Sequence, residues 1–222
     1  MPTKEEMKAM RQRICDRAYK EIPKAGDRPI VINLGYGVAM GIINSITKDH
    51  RSDIILQGES CIIGMDEYID EDALDYTLDN NYHHVDPAGL PVYVNKEYGC
   101  STKSVADSFS FINSGKIFAT FLGAYEVDSY GNLANWAVSY DHAAGAGGAM
   151  ELCANAQNVY ICMMENTKDG KSKLVEKTEM PITYPNCVVK VFTEKGVYEP
   201  NNGEWKKLEE WSDSVNDYVV LK

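Results

Sequence analysis

The sequence lacks any concentration of positive charge. Its 222 residues hold 22 Lys and Arg against 33 Asp and Glu, which gives a formal net charge of −11. Nucleic acids and anionic membrane surfaces attract clustered Lys and Arg, so we expect neither as a partner. The chain also lacks an apolar run of roughly 18 residues, the length that spans a bilayer, and Met1–Arg13 has no apolar signal core. These absences predict a cytoplasmic protein.

Several motifs of metal, nucleotide and thiol chemistry are also missing. The four histidines form no H-E-x-x-H pattern, so we expect no metal site and a solvated His83–His84 pair. Neither glycine-rich stretch completes G-x-G-x-x-G, which argues against a dinucleotide. The pattern G-x-S-x-G fails at Ile62, which argues against Ser60 as a nucleophile. Without a C-x-x-C pair, we expect reduced, buried thiols at the six cysteines, which are Cys15, Cys61, Cys100, Cys153, Cys162 and Cys187.

What the sequence does contain is an alternation of strand and helix patterns. The apolar run 29–35 predicts a buried strand, 36–50 has helical spacing, and 52–58 predicts the next strand. This alternation favours an α/β fold with an open, mostly parallel sheet flanked by helices. No internal repeat and no long linker interrupts the pattern, which predicts one domain over residues 1–222.

The rest of the chain has weaker or more local signals. We predict an irregular excursion at 66–100, which is rich in Asp, Asn, Tyr, Gly and Pro, and an acidic, weakly patterned tail from Gly196. The regular elements predicted elsewhere are an amphipathic helix at 3–22 with a capping box of Thr3 and Glu6, a helix at 101–115 that begins at Ser101 or Thr102, strand-like residues at 116–128, a tight turn at 128–132 and a buried strand at 158–164.

Two glycine-rich stretches have chemical potential, each with an alternative explanation. Gly35 and Gly37 follow the first strand, where they allow the backbone to approach a ligand or simply permit a tight strand-to-helix turn. Gly147 and Gly148 belong to a run that opens a helix, where backbone N–H groups can form a nest for an oxyanion or a phosphate. Close helix–strand packing explains that run equally well, so both alternatives stay open.

One carboxylate directly follows the second predicted strand. Glu59 stands between Gly58 and Ser60, in the stretch L-Q-G-E-S-C. Open α/β sheets bind ligands beyond the carboxyl ends of their strands. A carboxylate held there can attack an acyl group that is bound close to it. Glu59 is therefore a candidate nucleophile, and an exposed turn glutamate is the alternative.

Five stretches taken together resemble the β subunit of the family I CoA-transferases, the group that includes 3-oxoacid, acetate and butyrate–acetoacetate CoA-transferases. The resemblance covers most of the chain, and the stretches occur in the order found in that family. They are VINLGYGVAM (31–40), LQGESCIIGM (56–65), FLGAYEVDSYGNLANW (121–136), GAGGAMEL (145–152) and NTKDGKSKLVEKTEMPIT (166–183).

The resemblance implies an enzyme that moves CoA from an acyl-CoA to a short-chain or 3-oxo carboxylic acid in a ping-pong reaction. Glu59 would be the catalytic nucleophile, passing through a glutamyl anhydride and a glutamyl–CoA thioester. Gly147 and Gly148 would stabilise the oxyanion, while Gly35 and Gly37 would leave room for the reacting thioester. No cofactor would be bound permanently, because coenzyme A is itself the substrate and part of the covalent intermediate.

The resemblance also implies a partner. An α subunit would supply most of the CoA-binding surface, so a chain ending at Lys222 would be half of a hetero-oligomer, α2β2 or larger. One departure bears on the reaction, because the family's S-E-N-G reads G-E-S-C here and keeps only Glu59. The changes at Gly58, Ser60 and Cys61 could admit water, which gives the first alternative, an acyl-CoA hydrolase on the same scaffold. The second alternative is a non-catalytic metabolite-binding module in which Glu59 contacts the ligand.

Overall fold

In the described residues, helices occur among the strands up to Asn155, and only strands follow. The computed structural model describes residues 2–58, 62–68, 84–85, 91–94, 101–102, 104–143, 145 and 147–221. Within these ranges the helices are α1 (Lys4–Tyr19), a 3-10 helix (Val38–Ser45), α2 (Lys48–Arg51), α3 (Val105–Ile112) and α4 (Ala149–Asn155). None of them combines the length and the apolar composition that a membrane span requires.

The strands of the described residues are mostly short. In chain order they are β1 (Ile30–Leu34), β2 (Ile54–Gln57), β3 (Ile62–Ile63), β4 (Met65–Tyr68), β5 (His84–Val85), β6 (Pro91–Val94), β7 (Ser101–Thr102), β8 (Ala119–Leu122), β9 (Glu126–Asp128), β10 (Leu133–Ala134), β11 (Ala137–Ser139), β12 (His142–Ala143), β13 (Asn158–Cys162), β14 (Leu174–Val175), β15 (Val188–Phe192), β16 (Gly196–Asn201), β17 (Glu204–Ser212) and β18 (Asp217–Val220).

The main sheet has a parallel centre and antiparallel margins. In the described part of the chain its order is β18-β17-β16-β15-β13-β8-β1-β2-β3-β7. The strands from β15 to β2 pair in parallel, whereas β16 to β18 on one side and β3 and β7 on the other pair antiparallel. This architecture confirms the predicted α/β fold. That residues 1–222 form one domain stays a prediction.

The sheet buries one apolar core on each face. Side chains alternate across a strand, so Tyr160 and Cys162 of β13 face one core while Val159 and Ile161 face the other. The helix α1 and the 3-10 helix cover the first core, and α3 and α4 cover the second. Complete burial of a side chain such as Ile14 of α1 contributes about 2 kcal/mol to folding.

The first helix follows the sequence prediction closely. The Thr3 hydroxyl accepts a hydrogen bond from the Glu6 N–H at 3.2 Å, and the Thr3 N–H donates to Glu6 Oε2 at 2.7 Å. This backbone hydrogen bond from Thr3 lowers the pKa of Glu6. The predicted capping box is therefore confirmed, and caps of this kind contribute about 1 kcal/mol to helix stability.

The predicted helical stretch after β1 forms a 3-10 helix and a short α-helix. Gly37 precedes the 3-10 helix and offers no side-chain cap. The segment also packs tightly on α1, since a Cβ at Gly41 would lie 2.9 Å from Cys15 Sγ. With a glycine inside it and several β-branched residues around it, the segment has little intrinsic preference for a regular α-helix.

The predicted start of the helix at 101–115 is wrong. Ser101 and Thr102 belong to β7, which pairs with β3, and α3 begins at Val105. The true N-cap is Ser104, whose hydroxyl accepts from the Asp107 N–H at 3.1 Å. Ser101, Thr102 and Ser104 are all residue types that cap helices. The pairing of β7 with β3 excludes the first two.

Two regions predicted as irregular contain strands. Within 66–100 the described residues include β5, β6 and most of β4, which form a small antiparallel sheet. The tail forms the antiparallel series β16, β17 and β18. Residues of β17 are mostly half-buried, so its apolar alternation is weak even though it pairs with a strand on each side.

Candidate active site

Three central strands end side by side, and each is followed by a glycine. Since β8, β1 and β2 are neighbouring parallel strands, their carboxyl ends share one edge of the sheet. Gly35 follows β1, Gly58 follows β2 and Gly123 follows β8. Ligands of open α/β sheets bind at this edge, which makes it the candidate active site.

The glycines after β1 are required by the turn itself. The Gly35 N–H donates to the Phe121 carbonyl oxygen at 2.7 Å, and a Cβ at Gly35 would lie 2.9 Å from Leu122 Cδ2. Gly37 has open space around it but a φ of +98°, which side chains rarely adopt. The steric explanation for both glycines is thus supported. Their role beside a thioester stays a prediction.

Glu59 and the two residues after it lie outside the described residues. The residues on either side are hydrogen-bonded to each other, because the Gly58 N–H donates to the Ile62 carbonyl oxygen at 2.7 Å. Next to this bond, Gln57 of β2 stands opposite Ile63 of β3 in an antiparallel pair. Gly58 and Ile62, which flank these three residues, are therefore held together at the carboxyl end of β2.

The glycine run before α4 belongs to the same edge. Gly148 is the N-cap of α4, and Gly147 before it is exposed with a φ of +51°. The helix ends at Asn155, close to the start of β13, and Leu152 packs in one core with Leu122 of β8. It therefore runs from the carboxyl edge back toward the strand starts. The prediction that the glycine run opens a helix is confirmed. A role in oxyanion stabilisation stays a prediction.

Buried polar side chains that sequence reasoning missed lie beneath this edge. Asn33, Gln57 and Thr120 have no exposed surface, and Ser108 is 1% exposed. They form a continuous hydrogen-bonded series across β8, β1, β2 and α3. A signal for them exists in the sequence, because each of the three strands carries one polar residue in an otherwise apolar run. Such residues need partners when they are buried.

Residues 30–222 match the family model described as "Coenzyme A transferase". The match includes the three strand ends, the Glu59 segment and the glycine run. The chain belongs to the coenzyme A transferase family. The sequence prediction of a family I CoA-transferase β subunit is thereby confirmed at the level of the family.

The relatives that align with most of this CoA-transferase chain include proteins named as beta subunits and a longer CoA transferase. It is 34% identical over 212 residues to a Bacillus subtilis (strain 168) protein named as a probable coenzyme A transferase beta subunit, covering 96% of this chain and 91% of that one. It is 35% identical over 168 residues to an acetate CoA-transferase beta subunit of Haemophilus influenzae, covering 76% and 70%. It is also 34% identical to human "Succinyl-CoA:3-ketoacid coenzyme A transferase 2, mitochondrial", spanning 94% of this chain but 38% of that protein.

Solved structures with the same fold differ in their named activities. An acyl-CoA transferase from Escherichia coli O157:H7 aligns over 90% of this chain and 38% of its own, with a TM-score of 0.65 and 20% identity. The decarboxylase AibA/AibB aligns over 96% of this chain and 83% of its own, with a TM-score of 0.62 and 16% identity. These similarities establish the fold, and the fold alone does not select the reaction.

Asn135, in the CoA-transferase motif at 121–136, is hydrogen-bonded to the residue that follows β8. Asn135 donates from Nδ2 to the Gly123 carbonyl oxygen at 3.2 Å. Its backbone N–H donates to Thr183 Oγ1 at 2.9 Å, and the same hydroxyl donates to Asn135 Oδ1 at 2.7 Å. The turn 128–132 precedes it as predicted, with Asp128 Oδ1 accepting from two backbone N–H groups. The motif thus has a structural use at the candidate site.

The described residues include four cysteines and no cluster of metal ligands. Cys15, Cys153 and Cys162 are buried and Cys187 is half-buried, all as free thiols. Burial raises the pKa of Cys15 to about 12, so it is protonated at neutral pH. Cys61 and Cys100 lie outside the described residues, as does His83. No group of three His, Cys, Asp or Glu side chains in the described ranges could hold a metal ion.

Proposed function

We propose that this CoA-transferase β subunit moves CoA between an acyl-CoA and a carboxylic acid, with the Glu59 carboxylate as the nucleophile. The observation that carries the proposal is the hydrogen bond between Gly58 and Ile62, the residues on either side of the Glu59 segment, at the carboxyl end of a central parallel strand. The glycine turn of β1 is next to it in the sheet. Ligands of open α/β sheets bind at this edge.

The first half of the reaction creates an enzyme-bound CoA. The Glu59 carboxylate attacks the thioester carbonyl of the acyl-CoA, and the C–S bond breaks to release CoA thiolate and leave an acyl-glutamyl anhydride. The thiolate then attacks the glutamyl carbonyl and expels the acyl group as a free carboxylate. The product on the enzyme is a glutamyl–CoA thioester. Enclosure of these species against water prevents their hydrolysis.

The second half repeats these steps in reverse order with another acid. The acceptor carboxylate attacks the glutamyl–CoA carbonyl, releasing thiolate and forming a new anhydride. The thiolate attacks the acceptor's acyl carbonyl, which gives the new acyl-CoA and restores the Glu59 carboxylate. No oxidant, reductant or metal enters the balance. Binding energy from the distant part of CoA can hold the reacting end in position.

The glycines take supporting roles in this proposal. The backbone N–H groups of Gly147 and Gly148 stabilise the negative oxygen that forms at each carbonyl attack, and Gly147 is exposed at the head of α4. Gly35 and Gly37 keep side chains away from the path of the thioester. The open space around Gly37 supports this second role.

We also propose an α-type partner chain and a hetero-oligomer, α2β2 or larger. Similar proteins of B. subtilis and H. influenzae are named as beta subunits. The human relative extends well beyond this chain, which spans 38% of it. The named relatives act on acetate or on succinyl-CoA and 3-ketoacids, and short-chain or 3-oxo acids are accordingly the substrates proposed here, in a cytoplasmic enzyme.

Trapping the covalent intermediate tests the proposal directly. The chain co-purified with its α partner is incubated with acetyl-CoA or succinyl-CoA in the absence of an acceptor acid. After gel filtration removes the released acid, borohydride reduces the glutamyl thioester to an alcohol. Peptide mass spectrometry should then locate the change at Glu59, and hydroxylamine should cleave the unreduced adduct.

The same experiment separates the two alternatives. An acyl-CoA hydrolase would consume the acyl-CoA without an acceptor and accumulate little adduct. A binding module would form no adduct and would retain ligand binding after Glu59→Gln. An adduct on Ser60 or Cys61 would overturn the carboxylate mechanism while leaving the site in place.

A further inference from the structure

The buried polar series beneath the edge follows the order of the strands. Thr120 of β8 stands beside Asn33 of β1, and Asn33 stands beside Gln57 of β2, as direct neighbours in the sheet register. Ser108 reaches the end of the series from α3. All four side chains are inaccessible or 1% exposed. Gln57 is the last residue of β2, and Asn33 and Thr120 lie within the last three residues of their strands.

The hydrogen bonds of this series run in one direction. Thr120 Oγ1 donates to Asn33 Oδ1 at 2.9 Å, and Asn33 Nδ2 donates to Gln57 Oε1 at 2.8 Å. Gln57 Nε2 then donates to the Gly58 carbonyl oxygen at 2.8 Å and to Ser108 Oγ at 3.2 Å. The series therefore ends on the backbone of the residue before Glu59.

The acceptor at the end determines every orientation before it. A carbonyl oxygen can only accept, so Gly58 requires the NH2 group of Gln57 on its side. The Gln57 oxygen then faces Asn33 and requires the NH2 group of that side chain. This leaves the Asn33 oxygen to accept from the Thr120 hydroxyl. The four groups thus have one mutually consistent arrangement.

Both polar backbone groups of Gly58 are held. Its N–H donates to the Ile62 carbonyl oxygen at 2.7 Å, and its carbonyl accepts from Gln57. The peptide group after Gly58 is planar. A fixed Gly58 carbonyl therefore also fixes the plane in which the chain leaves Gly58 toward residue 59. Apolar side chains at the same buried positions would need no partners at all. The polar series therefore has a use beyond packing.

We infer that Gln57, oriented by Asn33 and Thr120, is a positioning residue that fixes the departure of the chain toward Glu59. The inference rests on the proposed function, in which the Glu59 carboxylate attacks the thioester. Attack requires the reacting atoms at about 3–3.5 Å in line, and misplacement by about 1 Å can cost about 10²-fold in rate. Gln57 acts through the backbone and does not touch the substrate.

The test measures the rate of adduct formation at Glu59 in the complete complex with its α partner. Rapid quench with acetyl-CoA, without acceptor, gives this rate and its dependence on acetyl-CoA concentration. Gln57→Met keeps the length of the side chain and removes its hydrogen bonds. We expect its maximal rate to fall about 10²-fold while half-saturation changes less than about threefold.

A matched pair of threonine variants separates positioning from stability. Thr120→Val removes the first donor of the series, which is three hydrogen bonds away from Gly58. Thr193→Val makes the same change at a residue that is equally buried and hydrogen-bonded, but follows β15, four strand positions from β2. Both should lower the melting temperature, because each leaves a buried acceptor with one donor fewer. Only Thr120→Val should slow adduct formation, by about threefold to tenfold.

The outcomes distinguish the inference from the function on which it rests. If wild type forms the Glu59 adduct and both Gln57→Met and Thr120→Val form it at the wild-type rate, the positioning role is overturned and the proposed function stands. If Thr193→Val slows the reaction as much as Thr120→Val, the effect is one of general stability and the inference is also overturned. If wild type forms no adduct at Glu59, the proposed function fails and takes the inference with it.

Discussion

Two polar clusters tie neighbouring elements of the sheet together, and they use different chemistry. At the carboxyl edge the neutral side chains of Thr120, Asn33 and Gln57 connect three parallel strands without any exposure to solvent. No member of this cluster gains or loses charge between acidic and neutral pH. No titration within the cluster therefore changes its hydrogen bonds over this pH range.

The second cluster joins α1 to the margin of the sheet through charges. Arg17 Nε donates to Glu209 Oε2 of β17 at 2.6 Å, and Arg17 also pairs with Glu21 at 2.9 Å. Lys190 of β15 pairs with the other oxygen of Glu21 at 2.7 Å. These side chains are between 11% and 25% exposed.

The two clusters differ in what they contribute: the neutral one lies at the candidate active site, and the charged one joins α1 to the sheet. Neutral hydrogen bonds fix directions, and they cost less to bury than charges do. Charged groups near the surface can join a helix to a sheet strongly, yet their contribution depends on protonation. We expect changes in the neutral cluster to affect catalysis, and changes in the charged cluster to affect stability alone.

The largest expected effect is at the nucleophile itself. Glu59→Asp withdraws the attacking oxygen by one methylene, and turnover should fall by at least about 10³-fold. Steady-state CoA transfer by the complete complex measures it. Glu204→Asp, at an exposed position on β17, is the matched control and should retain wild-type turnover. A Glu59→Asp enzyme with near-normal rates would remove Glu59 from the mechanism.

In the charged cluster the strongest change is Arg17→Met. It leaves Glu209 and one oxygen of Glu21 without their cation, so the free energy of unfolding should fall by about 2–3 kcal/mol. Urea denaturation measures the fall, and kcat of the folded enzyme should not change. The control is Lys20→Met, whose partner Asp217 is 3.6 Å away with both side chains more than half exposed; its effect should stay below about 1 kcal/mol. Equal losses in the two variants would contradict the assigned importance of Arg17.

Gly35→Ala should affect both stability and catalysis, because this residue belongs to the carboxyl edge. The added Cβ would meet Leu122 Cδ2 at 2.9 Å and the Phe121 carbonyl oxygen at 3.0 Å, so the strand end must shift. We expect a loss of about 1–3 kcal/mol in unfolding free energy together with reduced turnover. Gly26→Ala is the control, with no atom within 4 Å of its Cβ. Unchanged turnover in Gly35→Ala would show that the edge tolerates displacement.

The smallest expected effect is the pH dependence of the stability that Glu21 contributes. Burial alone would raise the pKa of Glu21, but hydrogen bonds from Lys190 and Arg17 outweigh it, and the pKa lies below its usual value of 4.5. A lowered folded-state pKa stabilises the protein above the unfolded value and loses this contribution as pH falls through the folded one. The advantage of wild type over Glu21→Gln, about 1 kcal/mol at pH 7, should therefore shrink below about pH 4.5.

Urea titrations from pH 7 to pH 3 test this dependence against the neutral cluster. The deficit of Thr120→Val should stay constant over the same range, because the hydroxyl it removes does not titrate there. A Glu21→Gln deficit that is equally constant would mean that charge is not what Glu21 contributes.

Much of the fold and the family could be predicted from the sequence because the signals are local. The capping box of Thr3 and Glu6 closes within four residues, and the turn at 128–132 is held by the side chain of its first residue. The strands β1, β2 and β13 are predominantly apolar runs, as expected for strands that are buried on both faces of a sheet. The motif around Glu59 and the glycine runs likewise lie in short contiguous stretches, and with them the membership of the CoA-transferase family.

Local patterns were therefore sufficient to predict the α/β alternation, the first helix, the family and the candidate nucleophile. Three features became clear only in the folded protein: where α3 begins, the pairing of the acidic tail as β16 to β18, and the meeting of Thr120, Asn33 and Gln57. These features depend on partners far apart in the chain, with Thr120 lying 87 residues from Asn33. A polar residue in an apolar strand signals that it needs a partner, but the partner is selected by the register of neighbouring strands. That register is fixed only when the whole sheet has assembled.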